Sequence, residues 1–170
     1  MKPDHDLATF LAHAVVLESE AAERYDELAA VMAEHNNPEI ADLFEKMAYY
    51  SRQHRAEAIE RARAVGGLPD LKPWEFSWPD AESPEAASFD QVHYLMGARQ
   101  ALILALAAEK RARDFYAGVS RDAETAEIAA LAAEFAEEEA EHAEALERWI
   151  ERYPAETETA DDDPDPPMAL

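Results

Sequence analysis

The chain has no cysteine, which excludes disulfides, thiolate metal sites and iron–sulfur clusters. Positive charge is also scarce. Lys and Arg number 15 against 38 Asp and Glu, leaving a net charge of −23 at pH 7. Such a surface repels nucleic acid and anionic lipid and attracts cations, so no nucleic-acid or membrane partner is expected. No run of about 18 residues is free of charge, so no membrane span is expected either. Met1 to Asp6 carries one Lys and two Asp before a helical pattern begins. A secretory signal peptide does not look like this, and a cytoplasmic protein is expected.

What is present is long helical pattern, broken only where proline falls. The ten prolines stand at 3, 38, 69, 73, 79, 84, 154, 164, 166 and 167. Proline costs about 3 kcal/mol inside a helix, so the gaps between these positions are where helices can run. The start and stop signals predict helix A near 6–35. Helix B is capped by Asn37, with Pro38 at its first position, and ends at Gly66-Gly67. Helix C opens at Ser88, where Gln91 completes a capping box, and runs to about Val119. Helix D starts near Asp122 or Thr125 and stops before Pro154. Short A–B and C–D connections make two antiparallel hairpins, and the segment at about 66–88 is long enough to cross the length of a bundle. Residues 1–153 are thus expected to form one all-α four-helix bundle. The tail, 154–170, has six acids, four prolines and no base, and is expected to be disordered.

The apolar seam of each helix follows 3-4 spacing. Helix A reads Leu11, Ala14, Glu18, Ala21, Tyr25, Leu28, Met32, and helix B reads Ile40, Phe44, Met47, Ser51, His54, Ala58. Helix C reads Leu95, Ala98, Leu102, Ala105, Glu109, Ala112, Tyr116, Val119. Helix D reads Ile128, Ala132, Phe135, Glu139, His142, Leu146, Trp149. Each stripe is interrupted near mid-length by polar or ionisable side chains. The chain also repeats itself. Glu18 and Tyr25 recur 91 residues later as Glu109 and Tyr116, while Ala48, Ser51 and His54 recur 88 residues later as Ala136, Glu139 and His142. A duplicated hairpin brings such equivalents together about a pseudo-two-fold axis.

A buried carboxylate must neutralise or find a partner. Three Glu and two His on converging seams, with no Lys or Arg on those seams, therefore predict a metal site made of Glu18, His54, Glu109, Glu139 and His142. Glu139 and His142 are three apart, so one helix aims both at one place. Carboxylate oxygens suit hard cations, and imidazole suits Fe, Mn or Zn. Tyr25 and Tyr116 are expected to be core tyrosines whose hydroxyls bond to the ligand carboxylates. His5, His13, His35 and His93 lie off the Glu stripes and are expected at the surface or an interface. Trp74 and Trp78 are expected to anchor the crossover. No residue is singled out as catalytic.

These residues resemble the rubrerythrin-like branch of the ferritin-like superfamily over roughly residues 7–150. The match lies in Glu18-x-x-Ala21-x-x-x-Tyr25, Phe44-x-x-x-Ala48 with His54, Glu109-x-x-Ala112-x-x-Phe115-Tyr116, and Ala136-x-x-Glu139-x-x-His142. The resemblance implies a dinuclear iron site with Glu18 and Glu109 terminal and the carboxylates of helices B and D bridging. It also implies oxidation of Fe(II) by peroxide or dioxygen, and a homodimer. Two departures stand out. Ser51 takes the place of the helix B bridging glutamate, with Glu57 and Glu20 the nearest substitutes, so one or two irons per chain are expected, with Mn or Zn as alternatives. No rubredoxin-like domain is present, so a peroxidase cycle needs an external electron donor. The competing expectation is a site reduced to one structural metal in an oligomeric scaffold without redox turnover. Val16, Leu17, Ile103 and Leu104 widen the apolar stripes of helices A and C, which places the expected homodimer contact there.

Overall fold

The computed structural model describes residues 1–80, 83–84 and 96–155. Among the described residues there are four long helices, α1 (Leu7–Glu34), α2 (Pro38–Arg63), α3 (Ala98–Asp122) and α4 (Ala126–Glu151), and a 3-10 turn at Pro73–Glu75 between α2 and α3. α1 packs along α2 and α3 along α4 as two antiparallel hairpins. The fold is the ferritin-like four-helix bundle.

Local sequence sets the helix ends. Asp6 accepts from Thr9 N at 3.0 Å, Asn37 from Ile40 N at 3.3 Å, and Thr125 from Ile128 N at 3.2 Å. Each satisfies a backbone donor that would otherwise have no intrahelical partner. Gly66 and Gly67 take φ of 104° and 95° just past α2, a conformation that side chains with a Cβ resist. Thr125→Ala is expected to cost about 1 kcal/mol, or roughly 2–4 °C in Tm for a chain of this size. A thermal melt checks it.

One expected boundary moves. Met96 and Gly97 are not helical, and α3 begins at Ala98, with Gly97 extended and its N–H donating to the Gln100 side chain at 3.1 Å. The Ser88 start and its Gln91 partner, together with Leu95 of the seam and His93, lie outside the described residues, as does the tail beyond residue 155. Gly97 is a poor helix former, and Arg99, the second residue of α3, donates to the carbonyls of Ile150 and Tyr153 at the end of α4. That bond joins the start of α3 to the end of α4.

The core divides into two apolar layers. One end holds Tyr25, Leu28, Met32, Ile40, Phe44, Leu102, Ala105 and Leu146. The other holds Phe10, Leu11, Ala14, Leu17, Ala58, Tyr116, Ile128, Ala132 and Phe135. The end of α1, the start of α2, the start of α3 and the end of α4 share the first layer, so the crossover spans the bundle lengthwise. The polar interruptions of the four seams fall between the layers.

Some side chains lie elsewhere than expected. His13 is fully buried, not at the surface. Its Nδ1 bonds Thr9 O at 2.8 Å, its Nε2 accepts from Ser77 N at 3.1 Å, and Phe76, Trp78 and Phe115 surround it. An off-seam histidine is buried because the crossover folds over it. Trp78 anchors the crossover, packing on His13 and Phe115, but Trp74 is 81% exposed and does not. Leu17 and Leu104 are buried within the chain, leaving Ile103, 46% exposed, and the half-buried Val16 as the apolar residues of that group open to solvent.

Burial lowers the His13 pKa from its ordinary 6.5, and the hydrogen bond to Ser77 requires the neutral ring. Below pH 6.5 the unfolded chain therefore takes a proton that the folded chain refuses. Stability should fall as pH drops from 6.5 toward the lowered folded value. His13→Gln, which keeps a donor and an acceptor, is expected to flatten that part of the Tm–pH curve. An unchanged slope would contradict the assignment.

Candidate metal centre

The five expected ligands meet between the apolar layers. Glu18, Glu109 and Glu139 are 7%, 3% and 6% exposed, which makes them buried carboxylates, while His54 and His142 lie half-buried on the α2–α4 side. Each sits where 3-4 spacing puts it, one turn from apolar neighbours on the same seam. Two clusters form, Glu18–His54–Glu139 and Glu109–Glu139–His142, and within each one ligand atom per residue lies within 4.8 Å of the others. Ligands on opposite sides of an ion, each about 2.0–2.2 Å from it, stand about 4.2 Å apart. The clusters are therefore of ion-holding size, and Glu139 belongs to both.

The contacts inside the clusters are open. His54 Nδ1 is 3.7 Å from Glu18 Oε1, and His142 Nδ1 is 3.5 Å from Glu109 Oε2 and 3.6 Å from Glu139 Oε2. Close N–H···O bonds would be 2.7–3.2 Å. The two imidazoles stack almost parallel, at 9° with centroids 5.8 Å apart, as the 88-residue repeat requires. Ser51, Glu18, Glu109, Glu139 and His142 line a cavity of about 10 Å³, room for about one water-sized body. Glu109 Oε2 and the Tyr116 hydroxyl are buried with no hydrogen-bond partner. An orphaned Glu109 oxygen beside such a cavity, in a set of carboxylates and imidazoles, fits a cation.

The tyrosines support the carboxylates unequally. Tyr25 donates to Glu109 Oε1. Tyr116, its repeat partner, is fully buried, but its hydroxyl does not make the expected bond to a site carboxylate; burial and then the Glu18 charge raise its pKa. Glu57 is exposed and pairs with Arg61, and Glu20 accepts from Ser83, so neither expected substitute for the missing bridge joins the site.

The family model for rubrerythrin matches residues 9–99 and 100–165. The chain belongs to the rubrerythrin family. It is also similar to the crystal structure of an uncharacterized conserved protein from Magnetospirillum magnetotacticum MS-1. That protein is 42% identical, and the match covers 91% of this chain and 99% of that one at a TM-score of 0.74. No curated protein matches.

Electrostatics in this rubrerythrin-family site divide the protons unevenly. Burial, together with the Glu109 charge, pushes Glu139 well above the ordinary carboxylate value. Burial opposes ionisation of Glu109 as well, but the neighbouring Glu139 carboxyl and the charges of His142 and Arg24 hold it down at about 2. Without a cation, Glu139 is the carboxyl of the pair that keeps its proton. Burial also raises Glu18, partly offset by His54. The Glu18 carboxylate raises His54 despite burial; burial also works against protonation of His142, but the nearby Glu109 and Glu18 carboxylates carry it above 6.5.

Two participants escape sequence reasoning. Arg24 is fully buried, with its guanidinium 4.5 Å from the centre of the Tyr25 ring. Its charge lowers both Glu109 and Glu139, so the carboxylates do have a protein cation near them. α1 is also buried off its seam at Phe10, Leu17, Arg24 and Val31, and the seven-residue spacing of those positions was the available signal. The other is Glu138, whose Oε2 lies 3.6 Å from His54 Nε2. In the sequence it is one of several neighbouring glutamates, with nothing to mark it out.

Proposed function

We propose that this chain is a non-haem iron protein that oxidises Fe(II) with hydrogen peroxide or dioxygen, serving iron handling or defence against oxidants. The carrying observation is that two ligand clusters, each with its own glutamate and histidine, share Glu139. Glu18 and His54 would hold one ion, Glu109 and His142 the other, and Glu139 would stand between them. A site reduced to one structural metal has no need of the second cluster, which favours the two-ion reading over the scaffold.

Iron bound as a pair supplies one electron from each Fe(II), and these two electrons with two protons reduce hydrogen peroxide to two waters. The chain's own residues prepare for this. Glu139 gives up its proton as cations arrive, so binding releases protons and weakens in acid. Tyr25 holds the Glu109 carboxylate in one orientation. The apolar layers above and below keep water out along the bundle axis, so small oxidants approach past the half-buried histidines between α2 and α4. With no cysteine in the chain to hold a rubredoxin-type iron, re-reduction requires an external donor.

Anaerobic Fe(II) titration with elemental analysis, followed by one equivalent of peroxide, tests the proposal. The expected result is two irons per chain, both oxidised far faster than free Fe(II). One iron per chain with no accelerated oxidation would leave the scaffold reading standing.

A further inference from the structure

Glu138 follows the plan of neither repeat. It adjoins the shared Glu139 in α4, but consecutive helical residues diverge by about 100°, and Glu138 faces α2 instead. Its Oε2 is 3.6 Å from His54 Nε2, while the opposite nitrogen of that ring, Nδ1, is 3.7 Å from Glu18. His142 likewise turns Nδ1 inward, to Glu109 and Glu139. Both imidazoles thus present the same nitrogen to the cluster, and His54 has a carboxylate behind it. A metal-bound imidazole is oriented and made more basic when its other N–H is given to a carboxylate.

The 88-residue repeat sharpens the point. Glu138 corresponds to Tyr50, which is 46% exposed and offers no carboxylate. The two histidines therefore differ. The one backed by Glu138 sits on α2, the helix that carries Ser51 where α4 carries Glu139. The half of the site that lacks a ligand carboxylate has gained one that reaches the ion through its histidine.

We propose that Glu138 is a positioning residue for His54. When an ion holds the ring, Glu138 closes from 3.6 Å to accept the Nε2–H, fixes Nδ1 as the ligating atom, and strengthens the ion position that Ser51 leaves short of a ligand. This rests on the two-ion centre proposed above. The Glu138 side chain is 32% exposed at the rim, so Glu138→Gln opens no core cavity and should fold.

Zinc is the probe, because it has no redox chemistry and suits NMR. Zn(II) is titrated against a competing chromophoric chelator into wild type, Glu138→Gln and Glu141→Gln, an exposed α4 control. The Zn-loaded proteins are then compared by 15N NMR of the histidine rings. The expected result is two zinc ions in wild type, one of which weakens by about 10–100-fold in Glu138→Gln while the other is unchanged. The His54 Nε2–H signal should move in that variant and stay put in Glu141→Gln. Two zinc ions bound by Glu138→Gln with wild-type affinities, or an unmoved His54 signal, would overturn the proposal alone. Wild type that binds no more than one zinc would overturn the two-ion centre, and this proposal with it.

Discussion

Glu139→Gln is expected to abolish tight binding of both ions while leaving the bundle folded. Glu139 is the one residue common to both ligand clusters. Groups that merely support a ligand are worth 10–100-fold in affinity, so losing a ligand shared by two ions should weaken both by more than about 100-fold. The variant should also lose the stabilisation that metal provides. An ion at 100 times its Kd adds about 2.7 kcal/mol to the wild type, roughly 5–10 °C in Tm for a chain of this size. Chelator treatment of wild type should remove the same increment, and on Glu139→Gln it should do nothing.

Metal-free stability should respond in the other direction. Burial raises the Glu139 pKa well above 4.5, so the folded chain holds a proton that the unfolded chain has released. The stabilisation is complete below 4.5 and is lost as pH rises through the folded value, at about 1.4 kcal/mol per pH unit within that window. Glutamine imitates the protonated acid without titrating. Metal-free Glu139→Gln should therefore equal wild type in mild acid and exceed it at higher pH, as read from denaturant melts in chelator. Equal metal binding by variant and wild type would remove Glu139 from the site.

Ser51→Glu is expected to produce the opposite trade. Ser51 is 6% exposed and lines a cavity of about 10 Å³ together with Glu18, Glu109 and Glu139. A carboxylate does not fit such a space without displacing neighbours, and overpacking of this kind costs about 1–3 kcal/mol. A fourth carboxylate also adds repulsion in a dry site. The metal-free variant should melt several degrees below wild type. With metal the order reverses, because a second bridging carboxylate helps balance two divalent ions at the spacing of about 3.5–4 Å usual in two-metal sites. Tighter second-ion binding and faster Fe(II) oxidation are expected. Matched anaerobic titrations followed by peroxide decide it. A wild type that already holds two irons tightly, with no gain in the variant, would mean that another residue does the work assigned here to a second bridge.

The helices, their pairing and the convergence of Glu18, His54, Glu109, Glu139 and His142 were legible in the chain itself. Proline gaps marked where helices could run, and caps such as Asn37 and Thr125 marked their starts. A 3-4 seam places Glu18 or Glu139 on the buried face whatever the rest of the molecule does, because helix geometry alone decides which residues share a face. The internal repeat then put those faces opposite one another. Only the tertiary structure decided the rest. α3 begins at Ala98 because Gly97 is extended and Arg99 is drawn to the end of α4. His13 is buried because the distant Ser77 segment folds over it, and Arg24 is buried on a stripe of α1 outside its seam. Glu138 is singled out from its acidic neighbours by His54, a residue on another helix. Periodicity reports what faces inward along one helix. Which atom meets which across helices depends on how they pack.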